Sequence, residues 1–309
     1  MPRLNRRSLL MVAPLLIGAG PQTNAPAADT APAAPAAPAA ETAQAAVVFA
    51  PYRHDDLLWE NDRTAHRIYG HALEAVEPPS SSGIDAWGKA IRGPFMDRQL
   101  RTGDQHADHG EGLDFYNVHG FRGAGGLGIW YDNKLWTSRN FVRHRILSAG
   151  PKVADFTVDY APWPVDVVRK VWETRRFTLP AGTNFTRMTS TLQSDSRAPL
   201  TVGIGIAKRA TGDKTGTFTP DRRTGRFTWW GPTDPKKGTM AVALMVDPAT
   251  IVGVTQDYDN YLVLVTVTPG KPFVYYMGAA WDRGLDFRTQ AQWQTYVDGQ
   301  TPTFLPSGR

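Results

Sequence analysis

Four of the seven histidines, His106, His109, His119 and His144, fall between Gly103 and Arg145. The same stretch carries acids (Asp104, Asp108, Glu111, Asp114), tyrosines (Tyr116, Tyr131) and arginines (Arg122, Arg139, Arg143). Imidazole and phenol groups exchange protons, and guanidinium groups neutralise anions. A packed core has no use for that mixture, because buried charge is costly unless paired. The composition is that of a site doing acid–base work on a polar, anionic ligand.

Within this stretch His106-Ala107-Asp108-His109-Gly110-Glu111 has the residue types of a metal site. His106, His109 and Glu111 would supply zinc ligands, and carboxylates with backbone oxygens would suit calcium. The glycine and the place of Glu111 outside the histidine pair separate the run from the zinc-protease helix, and a solvated polar loop is the plainer reading. Glu60 and Asp62, with Glu111 or Asp114, offer paired carboxylates for glycoside hydrolysis, although sequence fixes no separation between them. Gly123-Ala124-Gly125-Gly126 lacks the lysine and the strand-loop-helix setting of a phosphate loop, so a bulge or close backbone approach explains it better.

The elements that must position these residues read as β-strands. Phe156–Tyr160, Trp172–Leu179, Phe185–Gln193, Leu200–Lys208, Arg226–Trp230, Met240–Val246, Tyr261–Thr268 and Pro272–Ala279 are β-type runs, most with apolar and polar residues alternating, with Gly, Pro, Asn and Asp between them. No βαβ rhythm is present, so the expectation is an antiparallel meander folded into a large β-sandwich, with a closed barrel as the alternative. Thr289 with Gln292 forms a capping box for a short C-terminal helix to Val297. Trp59–Arg63 reads as a strand entering a turn, and Arg98–Gly112 as a polar loop across one sheet face.

Residues 1–20 resemble a signal peptide. Arg3, Arg6 and Arg7 precede a short apolar run, and the Arg6-Arg7 pair suggests the twin-arginine type. The run is too short to span a bilayer, so no stable membrane span is expected. Residues 21–46 are an Ala/Pro-rich linker expected to be disordered, and 47–309 form a single β domain. The absence of cysteine excludes disulfides and thiol chemistry. The net charge of +5 is scattered and partly contributed by the leader, which argues against nucleic acid as a partner. A periplasmic or secreted protein with 11% aromatic residues suits sugar, whose ring faces stack on aromatics while polar groups read hydroxyls.

Several separate motifs occur in order: Trp59-Glu60-Asn61-Asp62-Arg63, Ser82-Gly83-Ile84-Asp85-Ala86-Trp87, Asp108–Tyr116, Ser138-Arg139-Asn140-Phe141 and Ala279-Ala280-Trp281-Asp282. Together they resemble the DUF 4861 family, from about Tyr52 to Val297. The resemblance implies an exported protein of polysaccharide use, found beside enzymes that process unsaturated uronic acids, with a galactose-mutarotase-like supersandwich fold. It assigns no catalytic residue. Uronic acids suggest β-elimination across C4–C5, by a lyase or a dehydratase. The reaction needs a carboxylate neutraliser, a base for the C5 proton and an acid for the leaving oxygen.

His109, His119 and His144 are the candidate bases and Tyr116 the acid. Arg122 and Arg143 are the neutralisers, with Asn140, Glu111 and Trp281 as further substrate-binding candidates. The expected partner is an acidic oligosaccharide or polysaccharide, and a divalent metal, calcium or zinc, is an option without being a requirement. Each residue also has a structural reading: Tyr116 as strand core, His119 as a turn cap, His144 as a satisfied histidine, and Arg143 with Arg145 as a solvated face. A non-catalytic sugar-binding or mutarotase-like protein, or a glycoside hydrolase, is the alternative function.

Overall fold

A computed structural model describes residues 44–116, 118–209 and 214–305, all within the compact unit Glu41–Arg309. The expected signal peptide and nearly all of the expected linker lie outside the described residues. In chain order the strands are β1 (Ala46–Ala50), β2 (Asp56–Glu60), β3 (Ala65–Ile68), β4 (Asp85–Lys89), β5 (Gly112–Asp114), β6 (Ala124–Tyr131), β7 (Lys134–Trp136), β8 (Arg143–Ala149) and β9 (Val153–Pro164). They continue as β10 (Lys170–Pro180), β11 (Phe185–Ser194), β12 (Leu200–Ala207), β13 (Thr217–Asp221), β14 (Arg226–Trp230), β15 (Met240–Val246), β16 (Ile251–Gln256), β17 (Asn260–Val267) and β18 (Pro272–Trp281). Helix α1 (Met96–Leu100) lies between β4 and β5, and α2 (Gln290–Asp298) follows β18.

Alternation decides which face of each strand is buried. Along β10, Val171, Glu173, Arg175, Phe177 and Leu179 are buried and their neighbours face out. An eight-stranded antiparallel sheet, ordered β13-β14-β15-β18-β11-β10-β9-β8, forms one layer of the sandwich. Two five-stranded sheets, β16-β17-β12-β6-β7 and β1-β2-β3-β4-β5, contribute to the same core. Phe177, Leu244 and Met277 of the large sheet cluster there with Val202 and Val263 of one small sheet and Leu57 and Trp59 of the other.

Trp59 joins two layers. It is fully buried, its indole N–H donates to Thr186 Oγ1 at 3.0 Å, and its ring meets Phe156 and Phe177 edge-on. The architecture is the all-β antiparallel sandwich that the meander predicts. The opposite face of β15 packs Ala241, Ala243 and Met245 under α2, which buries Trp293 and Val297. Thr289 caps that helix, and both bonds of its capping box with Gln292 are present.

The glycine run is a junction. Gly123 has φ +59°, and a Cβ there would lie 1.9 Å from the Ile84 carbonyl oxygen. The Ile84 backbone bonds Arg122 and Ala124 across this point, linking the two small sheets. The β12–β6 register also slips here, between Ile204 and Ile206.

Candidate functional site

The sheet β1–β5 is covered on both faces, and its outer face is built half of apolar and half of ionic side chains. Period-two alternation sends Leu57, Trp59, Ile68 and Ala86 inward. The intervening Leu58 and Trp87 point outward and pack with Phe95, Met96 and Leu100 around α1. On that same outer face stand Asp56 and Glu60 of β2, Arg67 of β3, Asp85 and Lys89 of β4, and Asp114 of β5. Lys89 Nζ meets Glu60 Oε2 at 2.7 Å. Glu60 Oε1 accepts the Phe95 and Met96 backbone N–H groups at 2.9 Å each and so caps α1 from a distance. The helix replaces the first residues of the loop expected over Arg98–Gly112.

Arg67 is the hub of the ionic half. It faces Asp85 directly across the β3–β4 pair, and its guanidinium reaches Asp85 Oδ2 at 2.9 Å and Asp114 Oδ2 at 2.7 Å. It also lies 5.1 Å from the Tyr69 ring centre and 5.3 Å from that of Trp87. Burial alone would lower the Arg67 pKa, but Tyr69 and the surrounding carboxylates hold it well above its ordinary value. Burial and the nearby Asp114 push Asp85 up to about 8, against the opposing pull of Arg67, the Trp87 indole N–H and the Ala86 N–H. Burial raises Asp56 to about 7, with Arg67 the main opposing charge.

Above this network lies a cleft of about 560 Å³, lined by Arg67, Tyr69, Asp114 and Phe115, by Arg53, Glu77 and Ser80, and by His106, His119, Arg209 and Lys237. The Tyr69 hydroxyl donates to Asp85 Oδ2 at 3.2 Å. His106 Nδ1 lies 2.9 Å from the Asp114 carbonyl oxygen. A carbonyl only accepts, so Nδ1 carries the proton, and the Nε2 lone pair accepts from the Gln105 amide at 3.2 Å. Lys237 sits on the turn Asp234–Gly238, where Asp234 Oδ1 accepts the N–H groups of Lys236 and Lys237. The Trp281 indole N–H fixes the same turn by donating to the Lys237 carbonyl at 2.7 Å.

The predicted residues divide clearly by position. His119 lines the cleft, on backbone at φ +44°, with its carbonyl accepting from Ser81 Oγ. Trp281 does not line the cleft but holds Lys237 there. Asn140 is buried, and its amide donates to Gly70 O and to Ser80 Oγ, buttressing the wall. Tyr116 is in the core against Trp229 and does not line the cleft, so its hydroxyl is not placed as the cleft's acid; burial raises its pKa, as it does that of Tyr69.

Arg122 is likewise a core residue. It donates to Ser82 Oγ and to the Leu127 and Gly120 carbonyls, and burial with Arg175 nearby lowers it to about 10. His144 stacks on Phe49 at 4.0 Å, its pKa lowered by burial, and exposed Arg143 pairs with Asp159; both are on β8, away from the cleft. Glu111 pairs with Arg98, and exposed His109 faces Asp104. His106, His109 and Glu111 therefore have separate partners. Among the described residues no group of three or more His, Asp or Glu side chains is placed to hold a metal ion.

Arg53, Arg67, Tyr69, Arg209 and Lys237 escape the sequence reading. The Arg67-Ile68-Tyr69 alternation is the one local sign, since it puts the arginine and the tyrosine on one face of a strand. Arg209 and Lys237 arrive from remote segments and carry no local signature.

The family model described as domain of unknown function DUF4861 matches residues 24–304. Uncharacterized protein P7 of Formosa agariphila is 31% identical over 265 residues, which are 81% of this chain and 65% of that protein's length. Among solved structures, a heparinase III gene product overlaps 71% of this chain and 33% of its own, at 10% identity and a TM-score of 0.37. A GH36 alpha-galactosidase from Geobacillus stearothermophilus overlaps 74% of this chain and 41% of its own, at 11% identity and a TM-score of 0.36. Among the described residues no helix is long and apolar enough to cross a membrane.

Proposed function

We propose that this chain, which belongs to the DUF4861 family, is an exported lyase or dehydratase that eliminates across C4–C5 of uronic-acid-containing oligosaccharides. The observation that carries the reading is the cleft itself, where Arg53, Arg209 and Lys237 share the lining with His106, His119 and Tyr69. Export rests on the paired arginines and short apolar run of the leader.

In this reading Arg209 and Lys237 bind the uronate carboxylate and so make the C5 proton acidic. His106 takes that proton on Nε2, the nitrogen left unprotonated by the bond from Nδ1 to the Asp114 carbonyl, once the ligand displaces the Gln105 amide that bonds it at 3.2 Å. The electron pair forms the C4=C5 double bond as the C4–O bond breaks. Tyr69 gives its proton to the departing oxygen. A departing sugar makes the enzyme a lyase, and departing water makes it a dehydratase. His119 stands at the same cleft as a second candidate base. Hydrolysis would need two carboxylates available to the ligand, but Asp114 is engaged by Arg67 and Glu77 by Arg53.

The test is incubation of the purified protein with saturated and unsaturated uronate oligosaccharides, with and without chelator, followed by ultraviolet absorbance and product mass. Absorbance change with loss of one water marks a dehydratase, and absorbance gain with chain cleavage marks a lyase. His106→Gln and Tyr69→Phe should each abolish the change. Binding with no change in either signal would refute elimination and leave a sugar-recognition protein.

A further inference from the structure

Asp56 takes no part in the chemistry above, yet it sits directly behind it. Its carboxyl is fully buried on β2, and neither oxygen has a hydrogen-bond partner among the described residues. Arg67 Nη1 stands 3.8 Å from Asp56 Oδ2 and also makes no hydrogen bond. The other edge of the guanidinium is committed: Nε donates to Asp85 Oδ2 at 3.1 Å, and Nη2 to Asp114 Oδ2 at 2.7 Å.

Both residues lead to the cleft, Asp85 by its carboxylate and Asp114 by its backbone. Asp85 Oδ2 accepts from the Tyr69 hydroxyl, and the Asp114 backbone oxygen fixes the His106 ring. One guanidinium thus has an edge that organises the cleft and an edge that faces a bare carboxyl. An ionised carboxylate in so dry a setting would close on Nη1 and form the bond. A neutral carboxyl leaves the gap open.

We propose that Asp56 is a positioning residue: its bound proton leaves Arg67 committed to Asp85 and Asp114, which hold Tyr69 and His106 in place, and loss of that proton draws Nη1 toward Asp56 and loosens both. The proposal rests on the roles given above to Tyr69 and His106. The upward shift of Asp56 to about 7 through burial agrees with the geometry. The other charged or titratable groups facing Asp56 are Arg53, Glu77, Asp114, Tyr52 and Tyr69. Arg53 is paired with Glu77 at 2.7 Å, so Arg67 is the cation placed to respond.

The experiment is a carboxyl and imidazole NMR titration of the full chain, without ligand, for the wild type and Asp56→Asn. The expected result is an Asp56 carboxyl midpoint near 7, with the same midpoint appearing as an inflection in the His106 ring signals. Asp56→Asn should keep the His106 tautomer and lose that inflection. An Asp56 midpoint near the ordinary value of about 4, or identical His106 curves in the two proteins, would overturn the proposal. Should Asp56→Asn fail to fold, the Tyr69 ring signals of the wild type decide: an inflection there at the Asp56 midpoint supports the proposal, and none overturns it. The readout needs no turnover, so failure of the elimination reading is seen separately, in the absorbance assay.

Discussion

His66 should make the fold acid-sensitive in a defined window. It is fully buried, between the Thr64 hydroxyl at 2.8 Å and the Asp85 carbonyl at 3.3 Å. The carbonyl accepts a hydrogen bond from Nδ1–H, so Nε2 accepts from the Thr64 hydroxyl and the ring is neutral. Burial lowers its pKa from 6.5 to about 3. A group depressed in this way contributes stability that is complete above 6.5 and lost as pH falls toward 3, because the unfolded chain protonates first. Each pH unit in that window costs about 1.4 kcal/mol, so moving from pH 7.5 to about pH 4.5 should cost about 3 kcal/mol through this residue. Urea unfolding of the wild type and His66→Gln at both values measures it. Gln cannot take up the proton, so the variant should lose about 3 kcal/mol less than the wild type over the same change. Equal losses in the two proteins would refute the reasoning.

Asp56 should act with the opposite sign. Its raised pKa gives stability that is present in full below 3.8 and lost as pH rises from there through about 7, a change of about 4 kcal/mol that Asp56→Asn should remove from that interval of a urea-unfolding profile. Arg67→Met leaves Asp85 and Asp114 buried without their counter-charge, and urea unfolding near neutral pH should show a loss of about 3–5 kcal/mol. Trp281→Phe removes the donor to the Lys237 carbonyl. Its stability cost should combine the lost hydrogen bond with the space left by the smaller ring, about 1–3 kcal/mol, while isothermal titration with a uronate oligosaccharide shows weaker binding that Lys237→Ala reproduces.

The parts of the fold legible in the sequence are those whose determinants are local. The α2 cap lies within four residues, Thr289 to Gln292. Long strands such as β10 expose one face and bury the other, so their alternation survives in the sequence. The small sheet is different. β2 and β4 are buried on both faces, so their residues show no apolar/polar rhythm; only the end of β2 is legible, as the strand entering a turn at Trp59–Arg63. Helix α1 takes its cap from Glu60, far back along the chain, and leaves no motif at its own start.

The site follows the same division. The histidine-rich loop is visible as composition, yet which histidines reach the cleft depends on the path of the loop: His106 and His119 do, and His109 does not. Arg122 and Tyr116 have the right chemistry in the wrong layer. They are claimed by the core through partners, Ser82 and Trp229, that only the packing of the sheets brings close.

The apolar and ionic halves of the outer face of the small sheet depend on each other. Buried ions cost stability that hydrophobic residues of the same volume would not, so this network survives only because Leu58, Trp87, Phe95, Met96 and Leu100 bury it alongside a large apolar surface. The same apolar cover supplies the low dielectric that raises Asp56. If that is the cause, the shift should respond to a change that touches no charge. Leu58 is two residues along β2 on the face of Asp56 and is itself buried. Leu58→Ala should cost about 2–5 kcal/mol, and water entering the space should bring the Asp56 midpoint down toward its ordinary value of about 4. A midpoint that stayed near 7 in a folded Leu58→Ala protein would show that repulsion from Glu77 and Asp114, and not burial, holds the proton.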